Sequence, residues 1–164
     1  MNGWPVSAQE TKPTQYQVKA AFIYNFLQFI DLPLRPNQGM NLTLFILGED
    51  PFGNAFDPFQ GEKILGRKWN IRPIRYGQDF KDGHILFIAA SEKGRINQIV
   101  KQAHTQGLVT IGDTDGFGQQ GVMINLFLER NRVRFEINMD SVRNNRILIS
   151  SHLLKLARII SKNP

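Results

Sequence analysis

A chain of 164 residues, of which 41% are hydrophobic and 21% charged, fits a single globular domain with a substantial core. Its net charge of +6 arises from residue 130 onward, where eight Lys and Arg accompany two acids, whereas the first 129 residues contain twelve of each sign. The absence of cysteine excludes disulfides, thiol chemistry and zinc–thiolate sites.

Residues 1–14 are predicted to be a flexible lead-in to one domain that spans residues 15–164. Within this lead-in, Val6-Ser7-Ala8 resembles the small-residue end of a secretory signal peptide. The charged and apolar regions that precede such a site are missing. We therefore expect that the native protein has them, that Met1 was added for expression, and that the protein is exported with its signal peptide removed.

The first predicted element is a helix from Gln15 to Ile30, which Pro33 and Pro36 bring to an end. Apolar residues cover most of its surface, as is typical of a buried helix. Asn25 lies inside this apolar belt, and a buried amide needs hydrogen-bond partners. This residue is therefore either a structural anchor or part of a binding site.

Strands and helices alternate in the pattern of the next part of the chain. The strands are predicted at 41–47, 69–75, 84–90 and 108–112. Pro73 marks the second of them as either an edge strand or a bulged strand, because proline cannot donate to a central ladder. Helices are predicted to begin at Pro51 and to run from Ser91 to Gly107. This order predicts an α/β fold with a mostly parallel sheet flanked by helices.

A C-terminal antiparallel hairpin follows, formed by residues 122–128 and 132–138. The second segment alternates polar and apolar residues, so one of its faces is predicted to be dry and the other wet. Arg130 and Asn131 either form a two-residue turn or belong to a loop of three or four residues, since Arg adopts positive φ less readily than Asn.

The chain continues into a predicted C-terminal helix. Ser150 and Ser151 are good N-cap residues, and apolar residues from Leu153 to Ile160 follow at helical spacing. Lys155 and Arg158 occupy the polar face. We therefore expect one amphipathic helix that extends through Ile160.

Loops after the strands of an α/β sheet are the usual place for ligand sites. Residues 48–53 lack both glycine-rich nucleotide motifs, and the two acids there would repel phosphate. The glycine-rich segment 112–121 begins like a calcium loop but has no distal Glu, so a flexible loop is favoured over a metal site. A small-molecule site at the strand ends would comprise Asn25, Glu49, Asp50, Phe52, Asp113 and Asp115.

No arrangement of catalytic residues is visible in the sequence. His84, His104 and His152 have no carboxylate or second histidine at triad or metal-ligand spacing. The aromatic residues are not interleaved with arginines, as they are in modules that bind nucleic acid. The sequence therefore predicts no enzyme, no metal, no cofactor and no nucleic-acid partner.

Three segments together resemble the YfiR-like family over about residues 15–160. They are VKAAFIYNF at 18–26, LGEDPFG at 47–53, and GVMINL at 121–126 with VRFEIN at 133–138. The resemblance implies a periplasmic, non-enzymatic regulator that forms dimers and represses a membrane diguanylate cyclase through its periplasmic sensor domain. It also implies an outer-membrane lipoprotein partner that relieves the repression. The family's best-studied member responds to redox state through cysteines, which are absent here, so redox control is not implied.

We therefore predict a regulator that binds the sensor domain of a membrane diguanylate cyclase or histidine kinase. The predicted contact surface is the wet face of the hairpin with its basic flanks, namely Arg132, Arg134, Glu136, Asn138, Arg143 and Arg146. Such a surface favours an acidic partner and a salt-sensitive association rate. The alternative is a periplasmic small-molecule binding protein with a site at the strand ends, near Glu49, Asp50 and the 113–120 loop.

Overall fold

The computed structural model describes residues 13–32 and 41–161. In this part of the chain the α-helices are α1 (Gln15–Phe26), α2 (Ile96–Thr105), α3 (Met139–Asn144) and α4 (Ser151–Leu156). The strands are β1 (Ile30–Asp31), β2 (Leu42–Leu47), β3 (Lys63–Ile64), β4 (Arg67–Ile74), β5 (Ile85–Ile88), β6 (Val109–Gly112), β7 (Ile124–Glu129), β8 (Arg132–Asn138), β9 (Leu148–Ile149) and β10 (Arg158–Ile160). None of the helices just named is long and apolar enough to cross a membrane.

Eight strands form the main sheet in the order β10-β8-β7-β6-β5-β2-β4-β3, and β1 pairs with β9 in a separate two-stranded sheet. The pairs β10–β8, β7–β6, β6–β5, β5–β2 and β2–β4 are parallel, and only β8–β7 and β4–β3 are antiparallel. The predicted α/β fold with a mostly parallel sheet and a C-terminal hairpin is therefore confirmed. Most of β4, which contains Pro73, has a free outer edge, as predicted.

Helices cover both faces of the sheet. Alternate residues of each central strand point to opposite sides, so each strand contributes to two separate cores. Leu44 and Ile46 of β2 belong to a core that includes Ile23 of α1. Phe45 and Leu47 belong to a second core on the other face. There they are joined by the apolar stripe of α2, which consists of Ile96, Ile99, Val100 and Ala103.

The hairpin between β7 and β8 closes with a two-residue turn, the tighter of the two predicted alternatives. Glu129 pairs with Arg132, and the two residues between them have positive φ, +52° at Arg130 and +63° at Asn131. Positive φ at both central positions is the geometry of a type I′ turn, whose twist matches that of the flanking strands.

The helix predicted after Pro51 is wrong. Residues 51–62 form turns and one 3₁₀ segment, Asp57–Phe59. Asp50 Oδ1 accepts a hydrogen bond from Phe52 N at 2.8 Å, so the acidic residue before the proline closes a local turn rather than capping a helix. Gly53 then has φ +57°, which ends any helical progression.

The first predicted helix is confirmed but shorter than expected. Thr14 and Gln17 form a reciprocal capping box at its start, and α1 ends at Phe26 rather than at Ile30. Ile30 instead pairs with Ile149 in the small sheet, so tertiary pairing overrides local helix propensity. Asn25 is exposed, so the prediction that it is buried is wrong. The lead-in at 1–12 and the two prolines after Leu32 lie outside the described residues.

The predicted C-terminal helix is correct at its start and wrong at its end. Ser150 caps α4, but the helix ends at Leu156 and Ala157 is extended. Arg158–Ile160 then form β10, parallel to β8. The two isoleucines fit a helical stripe or a strand equally well in the sequence, and the free edge of β8 satisfies their backbone groups as a strand.

Candidate functional site

Four strands bring a row of residues into register across one face of the sheet. Gly112 of β6 pairs with Asn125 of β7, Asn125 with Glu136 of β8, and Glu136 with Arg158 of β10. Directly opposed residues project to the same face of a sheet. We call these four residues the polar row.

Glu136 is the central charge of the row and is only 3% exposed. Its Oε2 accepts hydrogen bonds from Arg158 Nη2 and, at 3.2 Å, from Arg158 Nε. The Arg158 guanidinium also lies over the Phe127 ring, 4.2 Å from its centroid. The carboxylate is thus buried with a cation beside it, which corrects the prediction that Glu136 lies on a wet surface.

Asn125 is almost fully buried, at 1% exposure, and its amide is only half satisfied. Its Nδ2 donates to Thr114 O at 2.9 Å and to Glu136 Oε1 at 3.4 Å. Both neighbours are acceptors, so the end of the amide that faces them must be the NH2 group. Its Oδ1 has no hydrogen-bond partner among the described residues. A Cβ at Gly112 would lie 3.1 Å from this oxygen, so glycine leaves the space beside it.

A buried ion pair joins α1 to the residue that follows β6. Lys19 Nζ lies 2.9 Å from Asp113 Oδ2, and each side chain is 4% exposed. Lys19 Nζ also donates to Gln15 Oε1 at 2.6 Å, and Tyr16 OH donates to Asp113 Oδ2 at 2.7 Å. Burial above all, and then the hydrogen bond to Asp113 and its charge, raise the pKa of the Tyr16 phenol above its usual value of 10.0.

A cavity of about 440 Å³ lies between this ion pair and the polar row. Strand β6 ends at Gly112, opposite Asn125, whereas β7 continues to Glu129. The cavity opens along the edge of β7 that β6 leaves uncovered, because residues 125–128 all line it in succession. Its polar and charged lining includes Lys19, Asp113, Asp115, Asn125, Glu136 and Arg158, and we call it the charged cavity.

The loop at 113–121 is anchored to the sheet rather than loosely attached, contrary to the prediction of a flexible loop. Phe117 is fully buried in the core on the α2 face. Asn138 Nδ2 donates to Gly118 O at 2.8 Å, and Ser141 Oγ donates to Gly121 O at 2.8 Å. Asn138 is therefore also buried, and the prediction that it lies on a wet face is wrong because the loop covers it.

The six residues of the predicted small-molecule site are only partly brought together. Asp113 and Asp115 line the charged cavity. Phe52 is buried and packs against the ring of Tyr16, with ring centroids 5.3 Å apart. It therefore contacts the residue that donates to Asp113 but does not line the charged cavity. The exposed residues Asn25, Glu49 and Asp50 do not line the charged cavity.

The predicted contact surface is divided in two. Arg132 and Arg134 are exposed near the hairpin turn, where Arg134 Nη1 lies 3.7 Å from Glu129 Oε1. Arg143 and Arg146 are exposed at the other end of β8, in α3 and just after it. The part of β8 between the two pairs, from Arg134 to Asn138, is about 13 Å long at the usual rise per residue, so the two pairs lie at opposite ends of one strand.

Sequence reasoning missed most of the residues that line the cavity, among them Lys19, Asn125 and Arg158. Lys19 and Asn125 each interrupt an apolar segment, and such an interruption is a usable indication of a polar site. The local sequence gives no such indication for Arg158, because this residue lies beside Glu136 only when residues 158–160 form β10 next to β8. Across residues 13–32 and 41–161, no group of three or more His, Cys, Asp or Glu is placed to hold a metal ion.

Comparison with known proteins gives a family and a fold. A family model described as YfiR/HmsC-like matches residues 16–158. A conserved domain protein from Vibrio cholerae O1 biovar El Tor strain N16961 has a similar solved structure, with a TM-score of 0.59 and 9% identity. The match covers 91% of this chain and 61% of that one, and at this identity it shows the fold alone. None of the curated proteins matches the sequence.

Proposed function

This chain belongs to the YfiR/HmsC-like family, a family of periplasmic regulators, and from that premise we propose that it regulates a membrane signalling protein by binding its periplasmic sensor domain. The family match over residues 16–158 is the observation that carries this proposal. The protein would be exported and non-enzymatic, and the target would be a diguanylate cyclase or a histidine kinase. A homodimer and an outer-membrane lipoprotein partner remain predictions of the same resemblance.

The hairpin tip, residues 128–134, supports the proposal as a contact surface. Arg130, Arg132 and Arg134 are all exposed there. Of these, Arg134 faces Glu129, while Arg130 and Arg132 form no ion pair with any described residue. Exposed cations without partners attract an acidic surface and raise the rate of association at low salt.

A groove beside the tip adds an apolar component to this surface. It has a volume of about 450 Å³ and runs between the start of α1 and the hairpin, with Val18, Leu128 and Arg132 in its lining. Leu128 is 47% exposed. Apolar side chains rimmed by arginines are typical of protein interfaces, in which Arg is enriched and buried apolar contacts supply much of the affinity.

Regulation by such a contact requires only that one state of the sensor domain binds better than the other. A difference of about 3 kcal/mol between the two states shifts their ratio by roughly two decades. The sign of the effect, repression or activation, follows from which state presents the acidic surface to the hairpin tip. Repression of a diguanylate cyclase is the outcome that we propose.

The test is affinity capture from membrane extracts of the native host at low and high salt, with the captured proteins identified by mass spectrometry. Wild-type protein is expected to retain a membrane sensor protein at low salt and to lose it at high salt. The variant Arg132→Glu/Arg134→Glu should lose it at both, while the matched control Arg143→Glu/Arg146→Glu should retain it. Direct titration of the purified sensor domain then measures the difference. Equal retention by the two variants would reject the hairpin tip, and no retention of any sensor would reject the regulator.

A further inference from the structure

We propose that the outer edge of β4 binds an extended, acidic segment of a partner protein, which pairs with it as an added strand of the main sheet. Among the described residues, β3 pairs only with Arg67 and Lys68, so β4 has no neighbour on this side from Trp69 to Ile74. An unpaired strand edge offers backbone donors and acceptors to an extended peptide.

The backbone of this edge is regular and oriented for pairing. β4 pairs with β2 at six consecutive positions, from Trp69 to Ile74. Ile74 O accepts a hydrogen bond from Gly48 N, so the Ile74 carbonyl points inward to β2. Because the direction of the peptide groups alternates along a strand, Trp69 and Ile71 direct their N–H and C=O groups outward. Pro73 belongs to the same outward set, so its missing N–H removes no hydrogen bond to β2.

A groove of about 580 Å³ lies along this edge. It is lined by residues 68–72 of β4 together with Gln60 and Gly61. Five successive residues of a strand span about 13 Å, which matches four or five residues of an extended peptide. The Trp69 indole is buried and its Nε1 donates to Phe59 O at 2.9 Å, so this part of the edge is held in place before a partner arrives.

Positive charge is concentrated around the groove. Residues 63–75 contain five Lys and Arg and no acid. Lys68 and Arg72 are exposed and form no ion pair with any described residue. They point to the α2 face of the sheet, where the Arg72 guanidinium lies 6.0 Å from the centroid of the Phe45 ring, whereas Trp69 points to the α1 face. An added strand with acids on the first face and apolar residues on the second therefore fits both.

The same charges make a second copy of this chain a poor occupant of the edge. Antiparallel pairing of two β4 strands about Asn70 would place Lys68 of one molecule opposite Arg72 of the other, and like charges directly opposed on adjacent strands are destabilising. Lysine and proline on an edge strand are known to discourage such self-association. Aspartate or glutamate on the incoming strand reverses the sign of these contacts, so the features that exclude a copy favour an acidic segment.

The test uses a peptide of about eight residues in which glutamate and valine alternate, long enough to cover the groove. A comparator of the same length alternates lysine with valine. Binding is measured by isothermal titration calorimetry and by NMR of the protein. We expect saturable binding of the glutamate peptide, about tenfold or more tighter than that of the lysine peptide. The backbone amides of Trp69 and Ile71 should shift and become protected from hydrogen exchange.

Two analogues of the glutamate peptide separate strand pairing from simple charge attraction. One carries N-methyl groups on all its valines and the other on all its glutamates, so the two have equal charge. Only every second N–H of an added strand faces β4. One analogue should therefore lose binding while the other retains it, because main-chain hydrogen bonds supply the affinity of an added strand.

Two charge-matched variants locate the site and keep it separate from the hairpin tip. Lys68→Glu/Arg72→Glu is expected to weaken binding of the glutamate peptide about tenfold or more. Arg132→Glu/Arg134→Glu should leave it unchanged, because four strands separate β8 from β4 in the sheet. Equal binding of the glutamate and lysine peptides, parent-like binding of both methylated analogues, equal effects of the two variants, or no saturable binding up to about 10 mM would each overturn the proposal.

Discussion

Lys19 and Asp113 are 94 residues apart in the sequence and form a buried ion pair, with Nζ and Oδ2 separated by 2.9 Å. The pair fixes the first helix to the end of a central strand, β6. Tyr16, one residue beyond Gln15 on the same helix, donates to the same carboxylate oxygen. The start of α1 is therefore positioned by polar contacts, while the rest of the helix is positioned by apolar packing.

Removing the cation alone should be costly. Lys19→Met leaves the buried Asp113 carboxylate without its cation, and we expect a loss of about 3–5 kcal/mol in the free energy of unfolding. The double variant Lys19→Met/Asp113→Leu should be more stable than the single one, because it buries no charge. Urea unfolding of the four proteins of this cycle measures the coupling.

The matched control for that cycle is Lys81→Met. Lys81 and Asp79 form a pair at 3.8 Å with side chains that are 67% and 54% exposed. Exposed pairs contribute little, so this change should alter the stability by less than about 1 kcal/mol. Equal losses for Lys19→Met and Lys81→Met would show that the buried pair has no special role.

The Tyr16 phenol makes the stability depend on pH in the alkaline range. Its pKa is raised in the folded protein above the ordinary value of 10.0, so folding favours the protonated phenol. The corresponding stability is fully present below pH 10 and is lost as the pH rises beyond it. Tyr16→Phe lacks this contribution, so the difference in unfolding free energy between wild type and variant should shrink above pH 10. Urea unfolding at several pH values between 8 and 11 measures it, and parallel curves would contradict the assignment.

Gly118 is required for close approach of the 113–121 loop to the polar row. A Cβ there would collide with Glu136 Oε1 and lie 2.7 Å from Ile160 Cδ1. Gly118→Ala should therefore destabilise the protein by about 1–3 kcal/mol, as overpacking does. Gly94→Ala is the control, because a Cβ at Gly94 meets nothing within 4 Å, and it should be neutral or slightly stabilising. Thermal unfolding of both variants decides the matter, and equal midpoints would refute the close contact.

The alternation of residues 132–138 predicted correctly which side chains share a face, and Phe135 and Ile137 are buried as expected. Period-two alternation cannot show whether a polar face is open to water. Glu136 and Asn138 are covered by a loop from residues 113–121 and by β10, and both covers come from other parts of the chain. The helix wrongly predicted for Ile159 and Ile160 has the same cause, because the edge of β8 with which they pair belongs to another segment of the sequence.

The fold class was predictable because strand and helix periods are local properties. The lining of the charged cavity was predictable only in part. Asp113 and Asp115 lie where strand-end reasoning placed them. The cavity also needs Lys19 from a helix far away in sequence, and its place depends on the difference in length between β6 and β7. Those are long-range relationships that no spacing rule within one segment encodes.

The polar row is assembled from positions 112, 125, 136 and 158, and β10 is the last of the described strands. During synthesis Glu136 is added to the chain before Arg158, the residue that supplies its cation. Proteolysis directly after α4 would separate Arg158 from the rest of the domain and leave the buried Glu136 carboxylate without a cation. The central strands β2, β5 and β6 pair with one another and not with β10. Such a cut would therefore remove Arg158 from the lining of the charged cavity and leave the centre of the sheet paired.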